Sequence, residues 1–158
     1  MGGSGMGEWC EHTVQVTVDV PVSLAWALWS DLEQMPRWMQ WIRSVEVLPD
    51  RPELSRWHLA TRGLDFYWES RIVKQIPHQI IQWESVTGLP NRGAVRFYDR
   101  GPQCIVKLTV AYALPAWVSQ WVDGLVGPHV ERTLQADLER FRDYSQNLAP
   151  AALAQPLN

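Results

Sequence analysis

The sequence predicts an α+β domain: a strongly curved antiparallel sheet of about seven strands wrapped around one long C-terminal helix, with two short helices after the first strand. Three observations carry this reading. Segments in which apolar and polar residues alternate, the mark of a sheet with one wet face, recur as far as Leu114. Glycine and proline separate them at intervals too short for crossover helices, so successive strands pair antiparallel. A single extended apolar stripe at helical spacing follows, and nothing else is long enough to cover the apolar face of the sheet.

The first strand is His12–Val20, with Val14, Val16, Val18 and Val20 on one face and Thr13, Gln15, Thr17 and Asp19 on the other. Pro21 ends it. Val22–Leu32 has helical spacing through Leu24, Leu28 and Leu32; Pro36 breaks that helix, and Met35–Trp41 is a second short helix or turn. A strand around Val45–Leu48 is closed by Pro49 and Pro52. Ser55–Arg62 then turns Trp57, Leu59 and Thr61 inward, and Gly63 makes a tight turn into Leu64–Ile76, where Phe66, Trp68, Ser70 and Ile72 oppose Tyr67, Glu69, Arg71 and Val73. Pro77 and His78 lead into Gln79–Thr87, with Ile81, Trp83 and Ser85 inward. Gly88–Gly93 is a loop by composition. Ala94–Asp99 and Gln103–Leu114 complete the sheet, the latter facing inward through Cys104, Val106, Leu108, Val110 and Tyr112.

From Ala116 to Asn147 the pattern is helical, with a kink or a fresh first turn expected at Pro128, because proline in a helix interior costs about 3 kcal/mol. Val130, Leu134, Leu138 and Phe141 form its apolar stripe, flanked by Glu131, Asp137, Glu139, Arg140 and Arg142. Residues 1–8 read as a flexible leader, 9–147 as the domain and 148–158, with two prolines and several small residues, as a disordered tail.

Composition narrows the function. The net charge is −3 and no Lys/Arg run occurs, so a nucleic-acid partner is disfavoured. Cys10 and Cys104 make no metal or redox spacing, no secretory pattern opens the sequence, and no apolar run approaches the roughly 18 residues of a membrane span. A cytoplasmic protein with free thiols is expected. Ten tryptophans stand against three phenylalanines; the indole, apolar with one N–H to satisfy, suits pocket walls and wet apolar boundaries.

No catalytic constellation is visible. His12, His58, His78 and His129 lack ligand spacing and read as surface residues, so no metal and no cofactor are expected. Ser70 and Ser85 face inward without a histidine beside them, and Cys104 sits among apolar neighbours that keep a thiol inert. Glu69 and Glu84 point outward, toward ordinary pairing with Arg71 or a similar neighbour. The same inward face makes better sense as a ligand pocket: Trp57, Phe66, Trp68, Ile81, Trp83, Phe97, Val106 and Leu108 supply apolar walls, and Thr61, Ser70 and Ser85 supply room and hydroxyls. The competing reading is that these rings meet and fill a solid core. Trp38 and Met39, just after Pro36, and Trp117 and Trp121, before the Gly127–Pro128 interruption, are expected to form the portal.

The stretches VTVDVPVSLAWALWSDLEQMPRWMQWIRSVEVL, FYWESRIVKQIPHQIIQWESVTG and DLERFRDY, within a span of roughly Val14–Tyr144, resemble the START-related helix-grip superfamily (SRPBCC), in particular its polyketide cyclase/dehydrase and lipid-transport group. The arrangement of a strand, Pro-x-x-x-x-Trp and then Ser-Asp-x-x-x-x-Pro-x-Trp carries most of the resemblance. It implies a helix-grip fold around a cavity for a hydrophobic or amphipathic molecule, in a group that includes lipid carriers, coenzyme-Q-binding proteins and aromatase/cyclases. It implies no catalytic residue. The main expectation is non-enzymatic binding or transfer of a lipid, isoprenoid quinone or polycyclic aromatic. The alternatives are a polyketide-type cyclase/dehydrase and an interaction module that meets a protein or a membrane surface through its tryptophans.

Overall fold

A computed structural model describes residues 6–115 and 128–154. In chain order these form β1 (Met6–Val18), α1 (Val22–Ser30), a 3-10 helix (Leu32–Arg37), β2 (Ile42–Leu48), β3 (Arg51–Thr61), β4 (Leu64–Ile76), β5 (Ile80–Gly88), β6 (Asn91–Arg100), β7 (Gln103–Pro115) and α2 (Pro128–Ala154). Among the described residues, seven strands make one antiparallel sheet in the order β1-β7-β6-β5-β4-β3-β2. Every neighbour is sequential except β1, which pairs with β7 from Val18 opposite Cys104 to Trp9 opposite Ala113. The chain therefore crosses from one edge of the sheet to the other through α1 and the 3-10 helix. The long α2 lies against β1 and α1, and this is the helix-grip arrangement.

Alternation decides the faces. In β1, His12, Val14, Val16 and Val18 are buried while Thr13, Gln15 and Thr17 are exposed. Val20, just beyond the strand, is also buried. The β3–β4 turn is tight because Arg62 and Gly63 both take positive φ, 52° and 79°. Gly88 is needed for a second reason: a Cβ there would stand 2.1 Å from the Tyr67 carbonyl oxygen.

Four boundaries differ from expectation. β1 begins at Met6, ahead of His12 and inside the segment 1–8 expected as a leader, because its pairing with β7 extends to Met6 opposite Pro115. Pro52 lies inside β3, in a part of that strand that β4 does not reach, since their pairing begins at Leu54 opposite Arg71. Gly88–Gly93 is not a loop throughout, because β6 starts at Asn91. Gly93 is a strand glycine lying so close to Thr109 and the Trp83 ring that a Cβ would meet the Thr109 carbonyl oxygen at 2.2 Å. The C-terminal helix continues past Asn147 to Ala154, with Pro150 inside it. Leu138, Phe141, Ser145 and Ala149 are all buried at helical spacing, so the stripe that holds α2 on the core runs beyond the point where charged residues end. The helical expectation for Ala116–Gly127 lies outside the described residues.

The solid part of the core sits under α1. Trp26 meets Phe97 edge-on at 5.4 Å. Trp38 packs against Trp29, Phe141 and Tyr144 with ring centroids 5.0–5.7 Å apart. Among the described residues no helix is long and apolar enough to cross a membrane.

Candidate functional site

Between the concave face of the sheet and α2 a cavity of about 170 Å³ remains. β3, β4 and β5 provide its aromatic wall through Trp57, Phe66, Trp68 and Trp83, with Trp57 and Trp68 stacked across the β3–β4 ladder at 5.9 Å and 9°. Ile81, Val95, Leu108 and Val110 form the floor toward β7. Val130, Thr133, Leu134 and Asp137 close it from α2, at spacings of three, one and three residues that place them on one helix face. Trp29, Met35, Met39 and Trp41 cover the side opposite β7.

The family model described as polyketide cyclase/dehydrase and lipid transport matches residues 18–141. The chain belongs to this family. A 17.2 kDa protein of Streptomyces lincolnensis is 27% identical over 130 residues, 82% of this chain and 85% of that one. The solved Zhui aromatase/cyclase of a Streptomyces species is 21% identical, with TM-score 0.72 over 92% of this chain and 98% of its own. A START superfamily protein from Mycobacterium smegmatis is 15% identical, with TM-score 0.66 over 90% and 98%. At those identities the two structures speak for the fold alone, a curled antiparallel sheet with a long C-terminal helix.

Within this family member, seven of the eleven residues expected at the pocket line the cavity: Trp57, Phe66, Trp68, Ser70, Ile81, Trp83 and Leu108. Four do not. Thr61 is at the far end of β3, opposite Leu64 next to the Gly63 turn. Ser85, within β5, accepts the Asn91 backbone N–H at 3.0 Å and so is tied to the start of β6. Phe97 lies against Trp26, and Val106, opposite Phe97 in the ladder, is fully buried at the α1 end. The inward face is thus divided: α1 fills one end and the cavity occupies the other.

The portal expectation is corrected at Trp38. It is 1% exposed and central to an aromatic cluster, because the chain after Pro36 folds back under α2 instead of ending at the surface. Met39 does line the cavity. Trp117 and Trp121 lie outside the described residues.

Polar groups in the wall are few, and most serve the protein itself. The Trp57 indole donates to Ser55 Oγ at 2.8 Å, and the Trp83 indole donates to Asn91 Oδ1 at 3.1 Å. Asn91 in turn donates to the Leu89 carbonyl at 2.8 Å, so these rings are held in position. Asn91 was hidden in sequence by its loop-like neighbours. Asp137 was read as a flanking charge on α2, yet its side chain is only 3% exposed. Its Oδ1 accepts the Gln40 backbone N–H at 3.1 Å and a second bond from Arg140, whose Nε also reaches the Trp38 carbonyl at 3.1 Å. Burial pushes the Asp137 carboxyl up to about 6 and outweighs the opposing pull of Gln40 and Arg140. The helix-face spacing from Val130 to Asp137 is the signal that could have placed it.

The histidines differ. His58, on the outer face, pairs with Asp65 at 2.7 Å and stacks on Tyr67 at 4.4 Å, while His78 sits exposed in a turn. His12 is not a surface residue: it is 7% exposed, on the same inward face as Val14. Among the described residues no three His, Cys, Asp or Glu side chains converge as metal ligands. Burial, and secondarily Asp99, raises the Cys104 thiol to about 11, which keeps it protonated and unreactive.

Proposed function

We propose that this protein binds an apolar or amphipathic small molecule in the cavity and passes it on, as a carrier for a lipid, an isoprenoid quinone or a ring compound in the cytoplasm. One observation carries the reading: the wall is aromatic and aliphatic almost throughout, and its few polar side chains mostly hold the rings. An apolar cavity of about 150 Å³ stays dry and takes up benzene. The cavity here, about 170 Å³, is of that size and suits one ring or two, or the ring end of a longer molecule. Larger ligands in the usual range of about 300–1,000 Å³ require the cover formed by Met39 and Trp41 to move. Trp117 and Trp121 stand in the proposal as the other half of that portal, so replacing both with Ser slows ligand exchange with vesicles.

Native mass spectrometry of freshly purified protein, followed by organic extraction, tests the reading. A co-purifying hydrophobic molecule, or quenching of tryptophan fluorescence by added naphthalene or a short quinone, is the expected result. Protein that carries nothing and takes up neither compound overturns it.

A second reading, polyketide-type cyclase/dehydrase, is favoured by Asp137. A carboxyl in the cavity wall that titrates near 6 can give or accept a proton at neutral pH. The likeness to the Zhui aromatase/cyclase is consistent with it. Turnover of a poly-β-ketone that is lost in Asp137→Asn while ligand binding persists supports this reading over simple carriage.

A further inference from the structure

Three serines lie side by side on the inner face of the sheet: Ser55 of β3 stands opposite Ser70 of β4, and Ser70 opposite Ser85 of β5. Ser85 is engaged elsewhere, its oxygen taking the Asn91 backbone N–H. Ser55 and Ser70 line the cavity and are only 2% and 4% exposed. The Ser55 oxygen accepts the Trp57 indole N–H at 2.8 Å, which leaves its own hydrogen without an acceptor among the described residues. Ser70 makes no hydrogen bond to any described residue. Among those residues the one side-chain nitrogen or oxygen that is both sealed off and without a partner is Trp38 Nε1. The Ser70 oxygen, equally without a partner, is therefore not sealed off, and the space it reaches is the cavity it lines.

Packing alone does not require this arrangement. A buried hydroxyl without a partner is unfavourable, and alanine fills nearly the same volume at Ser70 without that cost. Side chains directly opposite each other in an antiparallel ladder have Cβ atoms about 4.5–5.5 Å apart, close enough for two hydroxyls to reach one atom. The next inward pair along the same ladder is Trp57 with Trp68, whose rings stack on each other. Two unspent hydroxyl hydrogens thus adjoin a flat aromatic surface.

We propose that Ser55 and Ser70 form a paired-donor site for a carbonyl oxygen, and that the ligand is an aryl ketone or quinone of one or two rings. Its rings lie against Trp57 and Trp68 and its oxygen accepts from both serines. This rests on the cavity reading above and adds the ligand's polar end. The choice of a carbonyl follows from counting hydrogens. A carbonyl oxygen has two lone pairs and no hydrogen, so it uses both serine hydrogens and leaves none over. A ligand hydroxyl brings a third hydrogen, and one of the three is left unmet in every arrangement with the two serines.

1-Tetralone and tetralin, alike in shape and differing in C=O against CH₂, provide the test by isothermal titration calorimetry. The quantity read is the ratio of their affinities. In Ser70→Ala the preference for the ketone is expected to fall about threefold to tenfold, the range of one neutral hydrogen bond. Ser70→Cys, similar in size but a weak donor, is expected to lower it in the same direction. Without ligand, Ser70→Ala is expected to unfold at no lower urea concentration than wild type; a marked loss of stability would make the hydroxyl structural and overturn the site. A ratio that does not move in Ser70→Ala, or in Ser70→Cys should the first variant fail to fold, overturns it as well. Wild type is expected to bind 1-tetralol more weakly than 1-tetralone, and equal or tighter binding of the alcohol overturns the choice of a carbonyl. Binding of tetralin with no change in the ratio leaves the cavity reading standing. Absence of binding by all three compounds overturns the site and the cavity reading together.

Discussion

Asp137 provides a sharp test of how dry the cavity wall is. Its carboxyl moves from an ordinary 3.8 to about 6, chiefly through burial. A difference of about two pH units corresponds to roughly 3 kcal/mol at about 1.36 kcal/mol per unit, and a side chain only 3% exposed receives little solvent screening. The folded state holds this proton more tightly than the unfolded chain does. Below pH 4 both states are protonated and the full contribution is present. As pH rises through 4 to 6 the unfolded chain ionises first, folding becomes progressively less favourable, and above about 6 the loss is complete. Asparagine keeps an acceptor for the Gln40 N–H but carries no proton to lose. Urea unfolding of wild type and Asp137→Asn from pH 4 to 7 should therefore show wild-type stability falling by about 3 kcal/mol more than that of the variant. Other titrating groups cancel in the difference. Parallel curves would refute the reasoning and mean that water reaches Asp137 freely.

Trp38→Ala removes the centre of the aromatic cluster and should destabilise the fold by about 3–5 kcal/mol in chemical unfolding. Trp38→Phe should cost well under half of that, since the buried Trp38 indole N–H has no hydrogen-bond partner among the described residues. Trp68→Ala and Trp83→Ala face the cavity, so each should cost less than Trp38→Ala while weakening uptake of naphthalene; severe unfolding with unchanged uptake would make them core fillers. Gly93→Ala places a methyl 2.2 Å from the Thr109 carbonyl oxygen and 2.7 Å from the Trp83 ring, and is expected to lower stability by about 1–3 kcal/mol and shift tryptophan fluorescence as Trp83 is displaced.

Much of the sheet was legible because a strand's period of two comes from its backbone and does not depend on what it packs against. Leu64–Ile76 was read with the bounds that β4 has, and the inward set Phe66, Trp68, Ser70 and Ile72 is the set that meets the cavity. The same alternation already placed His12 with Val14, although a lone histidine looks like a surface residue until Tyr112 and Glu131 are seen beside it. Asn91 and Gly93 misled because both are loop formers by composition. Here one holds an indole, and the other lets that indole lie against the backbone.

By itself, then, the sequence determined which way each strand residue points and that a single apolar helix must cover the concave face. Only the tertiary structure decided which part of that face is filled and which stays open. Phe97 and Leu108 carry the same alternation signal, but α1 covers the first and leaves the second at a void. Trp38 and Met39 are neighbours, yet one is locked between Trp29 and Phe141 while the other lines the cavity. Asp137 on a helix flank cannot be told from a solvated charge until the backbone of Gln40 arrives to meet it. Periodicity is a local property of the chain. A cavity is the space left after all the elements have packed, so it depends on contacts between residues about a hundred positions apart, such as Gln40 with Asp137 and His12 with Tyr112.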